Sequence, residues 1–146
     1  AMLQAATAGA LQVSKPPVLL GVTVLTSIDA ETLQSELHIR TGLAEQVVHL
    51  GKMAIDSGLQ GIVASPLEIA NLREALGEET IIVTPGIRPP WEKRDDQRRV
   101  ATPREALALG ADYLVIGRPI TAATDPKAAA TKILAELRAD GPGGEK

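Results

Sequence analysis

Apolar and polar positions divide the chain into two alternating kinds of segment. Short runs rich in β-branched residues, Val18 to Leu25, Gly61 to Ala64, Thr80 to Val83 and Tyr113 to Ile116, predict strands buried on both faces, because apolar residues occupy both alternating sets of positions. Between them lie longer stretches with helical spacing. Leu43, Val47, Leu50 and Ala54 recur at three and four residues, leave Glu45, His49 and Lys52 to face solvent, and meet a stop at Gly58. Pro66 suits the first turn of a helix whose apolar side is Ile69, Leu72 and Leu76 and whose end is Gly77. Thr102, Pro103 and Glu105 have the spacing of a capping box with proline at the first helical position, and Gly110 supplies the exit. A last helix starts with Asp125 as cap and Pro126 behind it, then runs through Ala128, Ile133, Leu134 and Leu137.

The predicted order is a helix followed by four strand–helix pairs, which requires a parallel sheet with right-handed crossovers. Two α/β architectures accommodate it: a small open doubly wound sheet, or the second half of a (β/α)8 TIM barrel, which normally takes about 250 residues. The opening residues Ala1 to Gly9 read as a helix with no strand before it, and this favours the half-barrel. Residues 1–139 are then the half-barrel domain, and 140–146, polar and Gly-rich, a flexible tail.

Composition narrows the picture. With no Phe, one Trp and one Tyr, the core must be built from Ala, Val, Ile and Leu, as where helices lie on a parallel sheet. At 146 residues, 45% apolar and 23% charged, the chain fits one compact domain. A formal charge of -3 argues against nucleic acid or an anionic membrane as partner, so any anion site is local. The absence of Cys excludes disulfides, thiolate zinc sites and Cys nucleophiles, and makes the cytoplasm the expected location. The apolar run Pro16 to Leu25 is far shorter than the roughly 20 residues a membrane span needs.

In parallel sheets, ligands meet the loops after the carboxyl ends of strands. The first such loop carries Thr26, Ser27 and Asp29, suited to hydrogen-bonding a heterocycle, although residue type alone favours plain turn chemistry. Ser65 in the second reads as a helix cap. The third is long, from Thr84 to Val100, and has the length of a binding loop. Its Lys93, Arg94, Asp95 and Arg98 read as solvated charges, and the adjacent Asp95 and Asp96 as hydrated carboxylates. Arg88 stands apart, since Gly86 two residues earlier lets the backbone approach a ligand. Gln97 can both donate and accept. In the fourth loop Gly117, Arg118 and Pro119 follow a strand directly, placing two amides and a guanidinium where a phosphate would sit; a surface ion pair for Arg118 is the plainer alternative. His38 and His49 make no metal or triad case, and neither a Walker loop nor a dinucleotide fingerprint is present.

The stretches Val22 to Ser27 (V-T-V-L-T-S), Val83 to Arg88 (V-T-P-G-I-R), Asp96 to Pro103 (D-Q-R-R-V-A-T-P) and Gly110 to Thr121 (G-A-D-Y-L-V-I-G-R-P-I-T) together resemble the bacterial orotidine 5'-monophosphate decarboxylase family. The resemblance covers nearly the whole chain to Leu137. It implies a (β/α)8 barrel that converts orotidine 5'-phosphate to uridine 5'-phosphate and CO2 in pyrimidine synthesis, as a homodimer, without metal or organic cofactor. Carried over residue by residue, it implies that Thr26 contacts the pyrimidine ring and that Gln97 bridges ring and phosphate. Gly117 and Arg118 match the phosphate cup, and Arg88 a further substrate contact.

One departure matters most. The family's catalytic centre is a D-x-K-x-x-D array of alternating Asp and Lys, and no segment here resembles it. Lys15 and Lys52 lie before a strand and on a helix, away from the carboxyl-end loops. No catalytic residue is therefore expected in this segment, which looks like the family's carboxyl-terminal half beginning after its fourth strand, and the isolated segment is expected to be inactive. Two other readings stay open: a non-catalytic half-barrel that binds phosphorylated ligands or assembles with another half, and a different phosphosugar-binding barrel enzyme.

Overall fold

The computed structural model describes residues 1–91 and 99–138. The elements run α1 (Met2–Ala10), β1 (Leu20–Val22), α2 (Ala30–Ser35), α3 (Leu43–Asp56), β2 (Gly61–Val63), a 3-10 turn (Pro66–Glu68) leading into α4 (Ile69–Leu76), β3 (Ile81–Thr84), α5 (Pro103–Ala108), β4 (Tyr113–Leu114), α6 (Arg118–Thr121) and α7 (Pro126–Arg138). All pairings are parallel, in the order β1-β2-β3-β4, with Leu20 beside Gly61, Gly61 beside Ile81, and Val83 beside Tyr113.

That strand order selects between the two architectures. A doubly wound sheet reverses its order at a switch point and covers both faces with helices. Here neighbours in sequence are neighbours in space, and the packed core lies on the side of Ile62 and Ile82, joined there by Val47, Ala54, Ile69 and Leu72. The chain is a partial parallel α/β barrel of four units.

The opposite face corrects one expectation. The strands are not buried on both sides: Val22 is 61% exposed, Tyr113 62% and Val115 51%. In a closed barrel this set of positions would point into the interior, so an apolar sequence on both faces is right for the architecture even though these four strands cover only one face. The ladders are also shorter than the apolar runs. β1 extends over Leu20–Val22 rather than Val18 to Leu25, because its partner β2 contributes only Gly61–Val63.

Local signals act where the spacing placed them. Thr102 Oγ1 accepts from the Glu105 amide at 3.2 Å while Glu105 Oε2 accepts from the Thr102 amide at 2.8 Å, completing the capping box. Asp125 Oδ1 accepts from the Ala128 amide at 2.9 Å at the start of α7. Glu45, His49 and Lys52 are exposed on α3, and Val47 and Ala54 are buried. Two short helices escape the periodicity argument. In α2, Asp29 caps through the Thr32 amide at 2.9 Å and Leu33 is buried, but six residues carry too little period to read. In α6, the four residues open on Arg118 and Pro119.

On the edge of the sheet where strands begin, Arg73 of α4 acts as a brace. Its Nη1 donates to the Thr80 carbonyl at 2.6 Å, Nε and Nη2 to the Gly110 carbonyl at 3.0 and 2.7 Å, and Nη2 pairs with Asp112 Oδ2 at 2.7 Å. Gly110, at φ 104°, adopts a conformation that side chains resist, and an added Cβ would also come within 3.2 Å of Arg73 Nε. The turn from α5 into β4 is thus locked to the entry of β3.

Candidate functional site

The carboxyl ends of β1, β2 and β3 open on a cleft of about 290 Å³ lined by Val22, Val24, Thr26, Ser27, Ser65 and Pro85 among others. Thr26 is 9% exposed and Ser27 is exposed, and both line the cleft. Ser65 is buried, and its Oγ accepts from the Leu67 amide at 3.3 Å, which makes it the cap of the 3-10 turn.

The residues singled out from the sequence do not all share this cleft. Arg88 is buried, its Nη1 donates to the Ile87 carbonyl at 2.9 Å, and its Nε meets no partner among the described residues. It lines a separate hollow of about 150 Å³ with Pro89, Val100, Thr102 and Glu105. Gly117 caps α6 and Arg118 begins it, both exposed, on the same edge of the sheet as Thr26. A Cβ at Gly117 would meet nothing within 4 Å. Gln97, like Lys93, Arg94, Asp95, Asp96 and Arg98, lies outside the described residues, as does the 140–146 tail.

The loops are tied together by residues that sequence reasoning did not single out. Arg99 is 4% exposed and Glu68 5%, and Arg99 Nη1 stands 2.8 Å from Glu68 Oε1. Arg99 Nη2 donates to the Val24 and Leu25 carbonyls at 3.1 and 2.8 Å. The stretch carrying Arg99 is itself stitched to the loop after β3, since the Arg88 amide donates to Ala101 at 2.9 Å and the Ala101 amide to Gly86 at 3.3 Å. No spacing rule links Glu68 with Arg99, so the pair is invisible until the chain folds.

Other chemistry is sparse. Among the described residues no group of three His, Cys, Asp or Glu side chains is placed to hold a metal ion. His38 stands at φ 55° in a loop and His49 on the outer side of α3. Among the described residues no helix is long and apolar enough to cross a membrane.

Comparison with known proteins gives a consistent result. A family described as orotidine 5'-phosphate decarboxylase / HUMPS matches residues 1–133. The orotidine 5'-phosphate decarboxylase of Moorella thermoacetica is 56% identical over 142 residues, covering 94% of this chain and 56% of that protein. The Nostoc protein of the same name is 48% identical over 135 residues, covering 92% of this chain and 57% of that one. The crystal structure of orotidine 5'-phosphate decarboxylase from Lactobacillus acidophilus superimposes with a TM-score of 0.78 at 42% identity, over 94% of this chain and 58% of that one. The chain spans little more than half the length of these relatives.

Proposed function

The chain belongs to the orotidine 5'-phosphate decarboxylase / HUMPS family, and on that premise we propose that it forms the carboxyl-terminal half of a (β/α)8 barrel that converts orotidine 5'-phosphate to uridine 5'-phosphate and CO2. Support for the choice of half comes from the motifs. The D-x-K-x-x-D array has no counterpart in the sequence, whereas the phosphate-type loop follows β4, and barrel enzymes often hold phosphate after their last two strands. The observation that carries the reading is Arg118 at the start of α6, four residues past the end of β4, on the sheet edge where Thr26 lines the cleft.

In this reading the segment binds and another part of the barrel transfers the proton. Thr26 meets the pyrimidine ring. Arg118 grips two phosphate oxygens with its planar fork, and the open space over Gly117 lets the anion lie against the main chain. Arg88 is a further substrate contact, reached from the hollow it lines beside Pro89 and Thr102. Phosphate binding is remote from the reacting carbon, so its energy is available to stabilise the transition state. The complete enzyme is proposed as a cytoplasmic homodimer on the family resemblance alone.

Calorimetry with uridine 5'-phosphate and with uridine tests the assignment. Arg118→Ala should cost about 2–5 kcal/mol of affinity for the phosphorylated form, the range for truncating one partner of a hydrogen-bonded charge pair, and leave uridine unaffected. Equal losses for both ligands refute it. The 146-residue chain by itself should show no decarboxylation of orotidine 5'-phosphate. The uncovered apolar face at Val22, Tyr113 and Val115 favours a second reading, a non-catalytic half-barrel that assembles with another half. A monomer throughout a dilution series in sedimentation velocity would count against that one.

A further inference from the structure

The buried Arg99–Glu68 pair lies outside the proposed substrate contacts yet touches three of the loops that surround the cleft. Glu68 ends the 3-10 turn after β2, Arg99 is held against the segment after β3, and the guanidinium reaches the last carbonyls before Thr26 in the loop after β1. The pair is poorly built as a source of stability. Glu68 Oε2, Arg99 Nε and Arg99 Nη1 are buried and make no hydrogen bond among the described residues, the Nη1 approach to Glu68 Oε1 being a charge contact only, and a buried ion pair with unsatisfied atoms returns little against its desolvation cost. What it does supply is geometry. The guanidinium holds the Val24 and Leu25 carbonyls through Nη2 while its Nη1 lies against the Glu68 carboxylate, and the Leu25 carbonyl also accepts from the Ile28 amide at 3.0 Å, closing the turn that holds Thr26 and Ser27.

We propose that Arg99 and Glu68 are positioning residues that lock the Thr26 turn in place, so that the loops after β1, β2 and β3 present one preformed nucleotide cleft. The ligand part of this proposal rests on the functional reading above; the locking part does not.

The test uses the full chain with Glu68→Met and Arg99→Met combined, a replacement of similar volume that removes both charges together and so avoids stranding one. Native-state amide exchange at Ile28 should accelerate about tenfold or more, while the Ala64 amide, bonded to Val83 at 3.1 Å within the sheet, stays within about twofold. Affinity for uridine 5'-phosphate should fall about tenfold in the same variant. Arg99→Lys restores a charge opposite Glu68 but not the fork, and should recover only part of the Ile28 protection. Unchanged exchange at Ile28, or equal acceleration at Ile28 and Ala64, overturns the locking role. Faster exchange at Ile28 with unchanged nucleotide affinity overturns its link to binding. If the unsubstituted chain binds no uridine 5'-phosphate, the functional reading fails while the exchange comparison still decides the lock.

Discussion

The Arg73 side chain is only 10% exposed, and replacing it with Met keeps much of the aliphatic stem and removes the guanidinium. Two part-buried carbonyls, those of Thr80 and Gly110, then lose a charged donor at 2.6 and 2.7 Å. Hydrogen bonds to charged groups contribute about 1.5–3 kcal/mol each, so these two give about 3–5 kcal/mol once partial hydration of the vacated space is allowed for. The ion pair with Asp112 adds about 0–1 kcal/mol, because that carboxylate is 40% exposed and keeps the Ile82 amide as a donor at 2.7 Å. The bonds to the Gly77 and Glu78 carbonyls are exposed and add little. Urea unfolding should therefore show a loss of about 3–5 kcal/mol with the slope unchanged. Arg73→Lys should lose about half as much, since one ammonium cannot span both carbonyls. Asp112→Asn should lose about 1 kcal/mol or less, as its oxygen can still accept from Ile82. A loss under about 1 kcal/mol for Arg73→Met, or a larger loss for Asp112→Asn than for Arg73→Met, would refute the claim that the bonds to the two carbonyls hold the β3 and β4 entries together.

Three further outcomes follow from individual contacts. Thr102→Ala should destabilise the chain by about 1 kcal/mol in the same urea assay, because it leaves the Glu105 amide without its cap. Gly21→Ala places a Cβ 2.7 Å from that of Ala54, so β1 and α3 must separate, and thermal unfolding should report a cost of about 1–3 kcal/mol. Gly117→Ala places a Cβ in open space, so stability should stay within about 0.5 kcal/mol; its effect should appear in calorimetry as weaker binding of uridine 5'-phosphate, with Gly117→Val weaker still.

Much of the architecture could be read from local rules. Turn and cap chemistry act within a few residues, so Thr102, Glu105, Asp125 and the glycine stops appear in the structure where spacing puts them. The apolar runs likewise locate four parallel strands. Their sequence could not say that one face would lie open here, because the same residues suit a barrel interior whether or not the remaining strands are present. The element pattern alone fits either a doubly wound sheet or a barrel; the first helix and the family resemblance pointed to the barrel, and the order of the strands in space decides for it.

The candidate site divides in the same way. That Thr26, Arg88, Gly117 and Arg118 sit in carboxyl-end loops was legible, because those loops are short walks from recognisable strands; a binding role for them is a proposal, and for Thr26 it came from the resemblance rather than from residue type. Which of them share a cavity was not legible: Thr26 and Arg88 lie in separate hollows, although each follows a strand of the same sheet. The Arg99–Glu68 pair and the Arg73 brace are invisible in one dimension, because each joins groups tens of residues apart and an ion pair or a carbonyl contact leaves no periodic trace. Local sequence determined the four strands and the longer, capped helices; packing decided the short α2 and α6 and which side chains meet, since those contacts depend on distances that the order of residues does not contain.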